Sequence, residues 1–203
     1  MYGRLTVICG PMFAGKTTEL LKRILWARNG ERKDVLVVKT AFDVRYSRTE
    51  VITHDGLAAE AVVLHAFADI DARFQEADLV CFDEVQFFQN MDRDVVEVVK
   101  RLLEAGTDVV AAGLDTNWKG EAFAVTGLLL AMADEVVKLR AHCAVCGQPA
   151  HKSFKKVEDE AEIQLGHGDI YEPRCNRHWF SELPLIAMTR GPEEAKATDR
   201  LPA

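Results

Sequence analysis

The sequence predicts an α/β protein in two parts: a parallel sheet with helices on both faces, then a small zinc-binding module carrying a looped insertion. Three observations carry this expectation. Apolar strand-like runs alternate with segments of helical periodicity, a glycine loop joins the first such strand to the first such helix, and two Cys/His pairs stand well apart toward the C-terminus.

The elements follow in order. Arg4–Cys9 is β-rich and ends at Gly10, and Lys16–Arg28 carries Leu20, Leu21, Ile24 and Leu25 at helical spacing. Val35–Val38 reads as a strand, followed by a long polar loop to Gly56. Glu60–Leu64 reads as a short strand and Ala66–Glu76 as a helix. Leu79–Phe82 is an apolar run too short for a helix, while Val95–Leu103 is amphipathic and stops at Gly106. Asp108–Gly113 is a further buried strand, then come a helical piece near Leu128–Ala133 and a strand at Glu135–Leu139. Such alternation implies crossover helices on both faces and ligands gathered at the carboxyl ends of the strands. The pattern divides the chain into a nucleotide-binding domain over 1–142, a zinc-binding domain over 143–183 and a disordered tail over 184–203, rich in charge, Ala and Pro.

Composition narrows the class. With 203 residues, 48% of them hydrophobic, one substantial core is expected. A net charge of −7 argues against a broad basic surface for nucleic acid. Apolar runs such as Leu128–Ala133 are far shorter than the roughly 20 residues of a membrane span, and Leu5–Cys9 is too short for a secretory signal. Five cysteines, three of them crowded toward the C-terminus, suit a reducing compartment with a metal site better than a disulfide framework, so a cytoplasmic protein is expected. Cys9 and Cys81 lie in apolar runs and are expected to be buried. For His54, His65, His142, His151 and His167 the expectation is surface exposure or local hydrogen bonding.

The segment Gly10-Pro11-Met12-Phe13-Ala14-Gly15-Lys16-Thr17 has the spacing of a phosphate-binding P-loop and stands between a strand and a helix, as that mechanism requires. Glycine lets backbone N–H groups approach phosphate oxygens, Lys16 reaches the outer phosphates and the Thr17 hydroxyl is a magnesium ligand. Asp83-Glu84 follows directly on Leu79–Phe82, so both carboxylates emerge at the strand end beside this loop. Asp83 is placed for the magnesium shell, and Glu84 for taking a proton from an attacking hydroxyl or orienting a water. The spacing serves a kinase and an ATPase equally. An Asn-Lys-x-Asp guanine signature does not occur, and there is no strongly basic stripe. Cys143-x-x-Cys146 and Cys175-x-x-His178 form two knuckles that together complete a tetrahedral, structural zinc site. Zinc there closes 147–174 into a loop tied at its base, suited to folding over a ligand.

The phosphate loop, Asp43-Val44-Arg45-Tyr46-Ser47, Thr53-His54-Asp55, Asp83-Glu84-Val85-Gln86-Phe87-Phe88, the two knuckles and Gly166–Tyr171 occur in the order found in type II thymidine kinases, which the chain resembles from about Gly3 to Phe180. The resemblance implies a RecA-like P-loop fold with a zinc-tethered lasso, and phosphoryl transfer from ATP to the 5′-hydroxyl of thymidine. It implies Glu84 as base, Lys16 and Arg45 on phosphates with Gln86 among the ATP-binding residues, and magnesium near Thr17 and Asp83. Met12, Phe87, Leu114, Trp118, Ser153, Leu165, Gly166 and Tyr171 fall around the nucleoside by the same analogy. A role in DNA precursor salvage, a homotetramer and feedback by thymidine triphosphate are also implied.

Three segments depart from the family pattern. Ser153-Phe154-Lys155 stands for Thr-x-Arg, Gly166-His167 for paired glycines, and Trp118 for the more usual Phe. Lysine lacks the bidentate fork of arginine, and the missing threonine methyl, worth about 0.8 kcal/mol of burial, is expected to weaken discrimination against deoxyuridine a few-fold. A zinc-containing ATPase or nucleic-acid-binding module, and a nucleotide sensor without turnover, stay open as alternatives.

Overall fold

The computed structural model describes residues 2–41, 50–52, 58–91, 93–156 and 170–181. Six parallel strands form the central sheet: β1 (Leu5–Cys9), β2 (Val35–Thr40), β5 (Val62–Leu64), β6 (Leu79–Phe82), β7 (Asp108–Gly113) and β8 (Glu135–Lys138), in the spatial order β5-β2-β6-β7-β1-β8. Helix α1 (Lys16–Asn29) lies on one face, where Leu20, Leu21 and Ile24 pack with Ile8, Val37, Cys81 and Ala112. On the other face, α3 (Val95–Ala105) and α4 (Ala124–Met132) enclose Val7, Val38, Phe82 and Ala111. Because both faces are covered, the strands are apolar without alternation, and β6 is buried at every residue.

The loop-bearing strand β1 and the acidic strand β6 are separated by β7, with Cys9 opposite Gly113 and Phe82 opposite Ala111. That register brings the carboxyl ends of the three strands to one edge of the sheet, where the α/β architecture gathers ligands. Asp94 caps α3 by accepting the Val96 N–H at 2.9 Å, and Gly106, at φ 94°, ends the helix in the left-handed conformation read as a stop signal.

Two expectations change. The strand read over Glu60–Leu64 is divided: Glu60 ends β4 (Ala58–Glu60), which pairs antiparallel with β3 (Glu50–Ile52), and only β5 joins the main sheet. Continuous β character in the sequence does not reveal that two short strands pair with different partners. The helix read over Ala66–Glu76 is a 3₁₀ turn, Phe67–Ile70, followed by a short α2 (Asp71–Glu76). This tight start lets Phe67 and Phe74 both enter the cluster of Phe82 and Phe88, with ring centroids 5.5–6.4 Å apart.

The C-terminal part is built of short hairpins: β9 (Ala141–His142) with β10 (Pro149–Ala150), and β11 (Lys152–Lys155) with β12 (Tyr171–Arg174), followed by α5 (Asn176–Phe180). Its apolar core is small, Ala141, Cys143 and Ala150 with Ala14 and Cys175 against them. Among the described residues no helix is long and apolar enough to cross a membrane. Cys9 and Cys81 are buried; His65 and His151 are exposed, and His142 Nδ1 lies 3.0 Å from the Gly147 carbonyl. His54, His167 and the tail expected over 184–203 lie outside the described residues.

Candidate active site

The phosphate loop leaves β1 through Gly10 at φ 145°. A Cβ there would stand 2.6 Å from the Leu139 carbonyl oxygen, so only glycine lets the chain turn against its neighbouring strand. Phe13 (φ 63°) and Gly15 (φ 82°) take left-handed conformations, and nothing lies within 4 Å of where a Gly15 side chain would begin. Gly15 offers α1 no side-chain cap, which leaves the start of the helix suited to an anion. Pro11 and Lys16 are buried, Met12, Ala14 and Thr17 half-buried, and Phe13 exposed.

Lys16 donates from Nζ to the Pro11 carbonyl at 2.8 Å. Burial pushes its ammonium below the usual lysine range, and the nearby Glu84, Asp83 and Asp115 carboxylates push it back up. Those three acids come from the ends of two strands. Asp83 is buried; its N–H donates to the Val38 carbonyl at 3.0 Å and its Oδ1 accepts the Glu84 N–H at 3.1 Å. Glu84 has φ 48° and ψ 52°, a left-handed conformation that costs a non-glycine residue about 1–2 kcal/mol. Such strain clusters at functional sites.

The Glu84 carboxylate is held from below. Gln86, fully buried, donates from Nε2 to Glu84 Oε2 at 2.6 Å, and its Oε1 accepts the Leu114 N–H at 3.0 Å. One amide thus ties the acidic end of β6 to the end of β7. Gly113 makes room for it, since a Cβ there would come within 2.5 Å of Gln86 Oε1 and 2.8 Å of Val85 Cγ1. The contacts place Gln86 as a support for Glu84.

Phe87, Leu114 and Trp118 are half-buried around this end of the sheet, and Tyr171 and Ser153 are buried. Ser153 Oγ accepts the Met12 N–H at 3.0 Å, so β11 touches the phosphate loop directly. Lys155, two residues on and also buried, places its ammonium 5.5 Å from the Trp118 ring centre, and Lys119 lies 5.3 Å from the same ring. Trp179 Nε1 donates to the Trp118 carbonyl at 3.3 Å. Arg45, Leu165 and Gly166, together with Asp43–Ser47 and Thr53–Asp55, lie outside the described residues.

The four residues of the knuckles come together. The donor atoms of Cys143, Cys146, Cys175 and His178 all lie within 4.8 Å of one another, with Cys146 Sγ to Cys175 Sγ at 3.8 Å, Cys143 Sγ to His178 Nδ1 at 3.6 Å and Cys175 Sγ to His178 Nδ1 at 3.2 Å. Zn–S bonds of about 2.3 Å in a tetrahedron require S···S edges of about 3.8 Å, so this donor set fits zinc in size and in chemistry. Burial pushes the Cys143 thiol up, but the backbone N–H groups of Cys175, Val145 and Cys146 and the His178 ring outweigh it and bring it to about 6, which favours the thiolate, the form that would ligate a metal. For magnesium, the Thr17 hydroxyl and Asp83 carboxylate are oxygen donors of the required hard type.

The sequence reading passed over Asp115. It stands buried just past β7, accepts the Thr116 N–H at 3.1 Å and pairs with Lys138 Nζ at 2.9 Å. Its signal was present, a carboxylate two residues beyond a buried strand, but no motif marked it. The sequence shows Gly113 only as a strand end, because its steric role depends on Gln86, which lies in the 3₁₀ turn Val85–Asn90 after β6.

Among solved structures, domain III of the Thermotoga maritima replication initiation protein DnaA is similar at 14% identity and a TM-score of 0.42. The match covers 68% of this chain and 55% of that chain. Nothing about the activity of this chain follows from so weak an overlap. The family model for thymidine kinase matches residues 3–179, a span that takes in the phosphate loop, Glu84 and all four knuckle residues. The chain therefore belongs to the thymidine kinase family of ATP-dependent transferases.

Proposed function

We propose that the protein transfers the γ-phosphoryl group of ATP to the 5′-hydroxyl of thymidine, giving thymidine monophosphate and ADP. The observation that carries this reading is Glu84, fixed by Gln86 at a strand end one strand away from the phosphate loop. The carboxylate takes the proton of the 5′-hydroxyl as its oxygen bonds to the γ-phosphorus, and the bond to the β,γ-bridging oxygen breaks. Lys16 leaves the Pro11 carbonyl to neutralise phosphate charge, with Arg45 as its partner on the phosphates. Thr17 and Asp83 would hold magnesium, which would supply charge neutralisation on the triphosphate when bound. The backbone of Gly10–Thr17 cradles the phosphates, while Gln86 keeps the Glu84 carboxylate in place.

Met12, Phe87, Leu114, Trp118, Ser153, Leu165, Gly166 and Tyr171 surround the nucleoside in this reading. Zinc at Cys143, Cys146, Cys175 and His178 ties both ends of the lasso. A cytoplasmic salvage role, a homotetramer and inhibition by thymidine triphosphate extend the proposal from the family. The test is 5′-phosphate formation from thymidine, with a panel of other deoxynucleosides, in ATP and magnesium. Hydrolysis of ATP without a phosphorylated nucleoside, above all if single-stranded DNA stimulates it, overturns the assignment in favour of an ATPase.

A further inference from the structure

One peptide unit of the phosphate loop is held at both ends. Its carbonyl, that of Pro11, accepts Lys16 Nζ at 2.8 Å, and its N–H, that of Met12, donates to Ser153 Oγ at 3.0 Å. The second contact joins residues 141 apart in sequence and is made by a serine only 3% exposed, which limits the competition from water. Ser153 pairs in register with Pro173 of β12, and the Pro173 carbonyl accepts the N–H of Ala144 at 2.9 Å. Ala144 lies between the two cysteines of the first knuckle. Ser153 and Pro173 exchange no hydrogen bond, since proline has no N–H, but they stand side by side in the β11–β12 ladder, so one paired ribbon connects the cysteine cluster to the phosphate loop.

We propose that Ser153 is a positioning residue for nucleotide binding: its hydroxyl fixes the Pro11–Met12 peptide whose carbonyl holds Lys16, and so makes the phosphate loop depend on the C-terminal module. The loop runs between Gly10 and Gly15, whose backbones have the widest choice of conformation, so a hydrogen bond at Met12 narrows that choice. A plane already fixed does not have to be ordered when phosphate arrives, and that preorganisation strengthens binding. The role differs from a contact to the thymine base, since it acts through Met12 and Lys16 and needs no nucleoside. It rests on the reading of the chain as an ATP-using kinase.

The experiment is titration calorimetry of the full zinc-loaded chain with magnesium ADP, without thymidine, so that it reads nucleotide binding alone. Ser153→Ala is expected to weaken ADP binding about five-fold, Ser153→Cys to weaken it less because a thiol is a poor acceptor, and Ser153→Thr to stay within about two-fold of the parent. Hydrogen exchange of residues 10–17 should quicken in the Ala variant while β6 and β7 keep their protection. If Ser153→Ala does not fold, the Cys variant carries the test through the same two readouts. Parent-like ADP affinity in the Ala variant, or in the Cys variant where that one carries the test, overturns the proposal. A Thr variant that folds yet binds as weakly as the Ala or Cys variant does so too. Failure of the thymidine assay alongside a five-fold loss of ADP affinity would remove the kinase assignment and leave Ser153 in its role.

Discussion

The sheet domain and the knuckle region are stabilised by different means. The first buries Ile8, Val38, Phe82, Val109 and many similar side chains in two layers either side of six strands. In the second, Ala141, Cys143 and Ala150 form a small cluster, and Tyr171 and Trp179 are the other buried apolar side chains among the described residues. At about 25 cal/mol per Å² of apolar surface buried, so few side chains offer much less than the sheet clusters against the ordering of four short strands and a helix. Zinc held by the four donor atoms would add to this small core, since binding a structural metal is itself folding free energy. Function divides in the same way. The sheet edge carries the phosphate loop and Glu84, the proposed base, and the knuckle region brings Ser153 against that loop.

The comparison can be broken at several points, beginning with the largest effect. Glu84→Gln removes the base from the sheet edge while keeping the volume and the Gln86 contact. Steady-state kinetics should show kcat lower by about 10²–10⁴-fold with ADP affinity preserved. A loss under ten-fold would take Glu84 out of that role. Next is the metal. Cys175→Ser should cut bound zinc from about one per chain to a small fraction of that, read by metal analysis. Hydrogen exchange should rise across 141–155 and 171–180 and stay slow in β1, β6 and β7. Equal loss of protection in the sheet would mean that the two regions fold as one unit.

A smaller effect belongs to Gly113. Changing it to Ala drives a methyl against Gln86 Oε1 and Val85, and thermal unfolding should show about 1–3 kcal/mol of destabilisation. The kcat should fall with it, because Gln86 cannot move without releasing Glu84. Unchanged kcat would separate Gln86 from catalysis. The smallest effect sits where the two regions meet. Ser153→Thr adds one methyl, about 0.8 kcal/mol if buried, so the kcat/KM preference for thymidine over deoxyuridine should rise about four-fold. No change, or a fall, would mean that the side chain at this position faces the loop and not the base.

Much of the site was legible because its parts are local. The phosphate loop, Asp83-Glu84 and each knuckle lie within eight consecutive residues or fewer, and short-range spacing is what a motif records. The supports are of another kind. Gln86 meets Leu114 across 28 residues and Ser153 meets Met12 across 141, and no periodicity announces either pairing. The family resemblance sets Gln86 among the ATP-binding residues, and the structure adds that its amide bonds Glu84 and the Leu114 N–H. Asp115 was missed because a lone strand-end carboxylate is common, and its nearness to Lys16 follows from β7 lying between β1 and β6.

By itself the sequence determined the layer architecture, the phosphate loop, the base candidate and the donor set for zinc, because hydrophobic period, glycine placement and ligand spacing are short-range properties. The tertiary structure decided what holds those groups in place: the left-handed turn at Glu84, the Gln86 amide beneath it, the cleared space at Gly113 and the hydroxyl of Ser153 on the loop. Each depends on which strands become neighbours, and strand order is settled by burial of the whole sheet, not by any one segment.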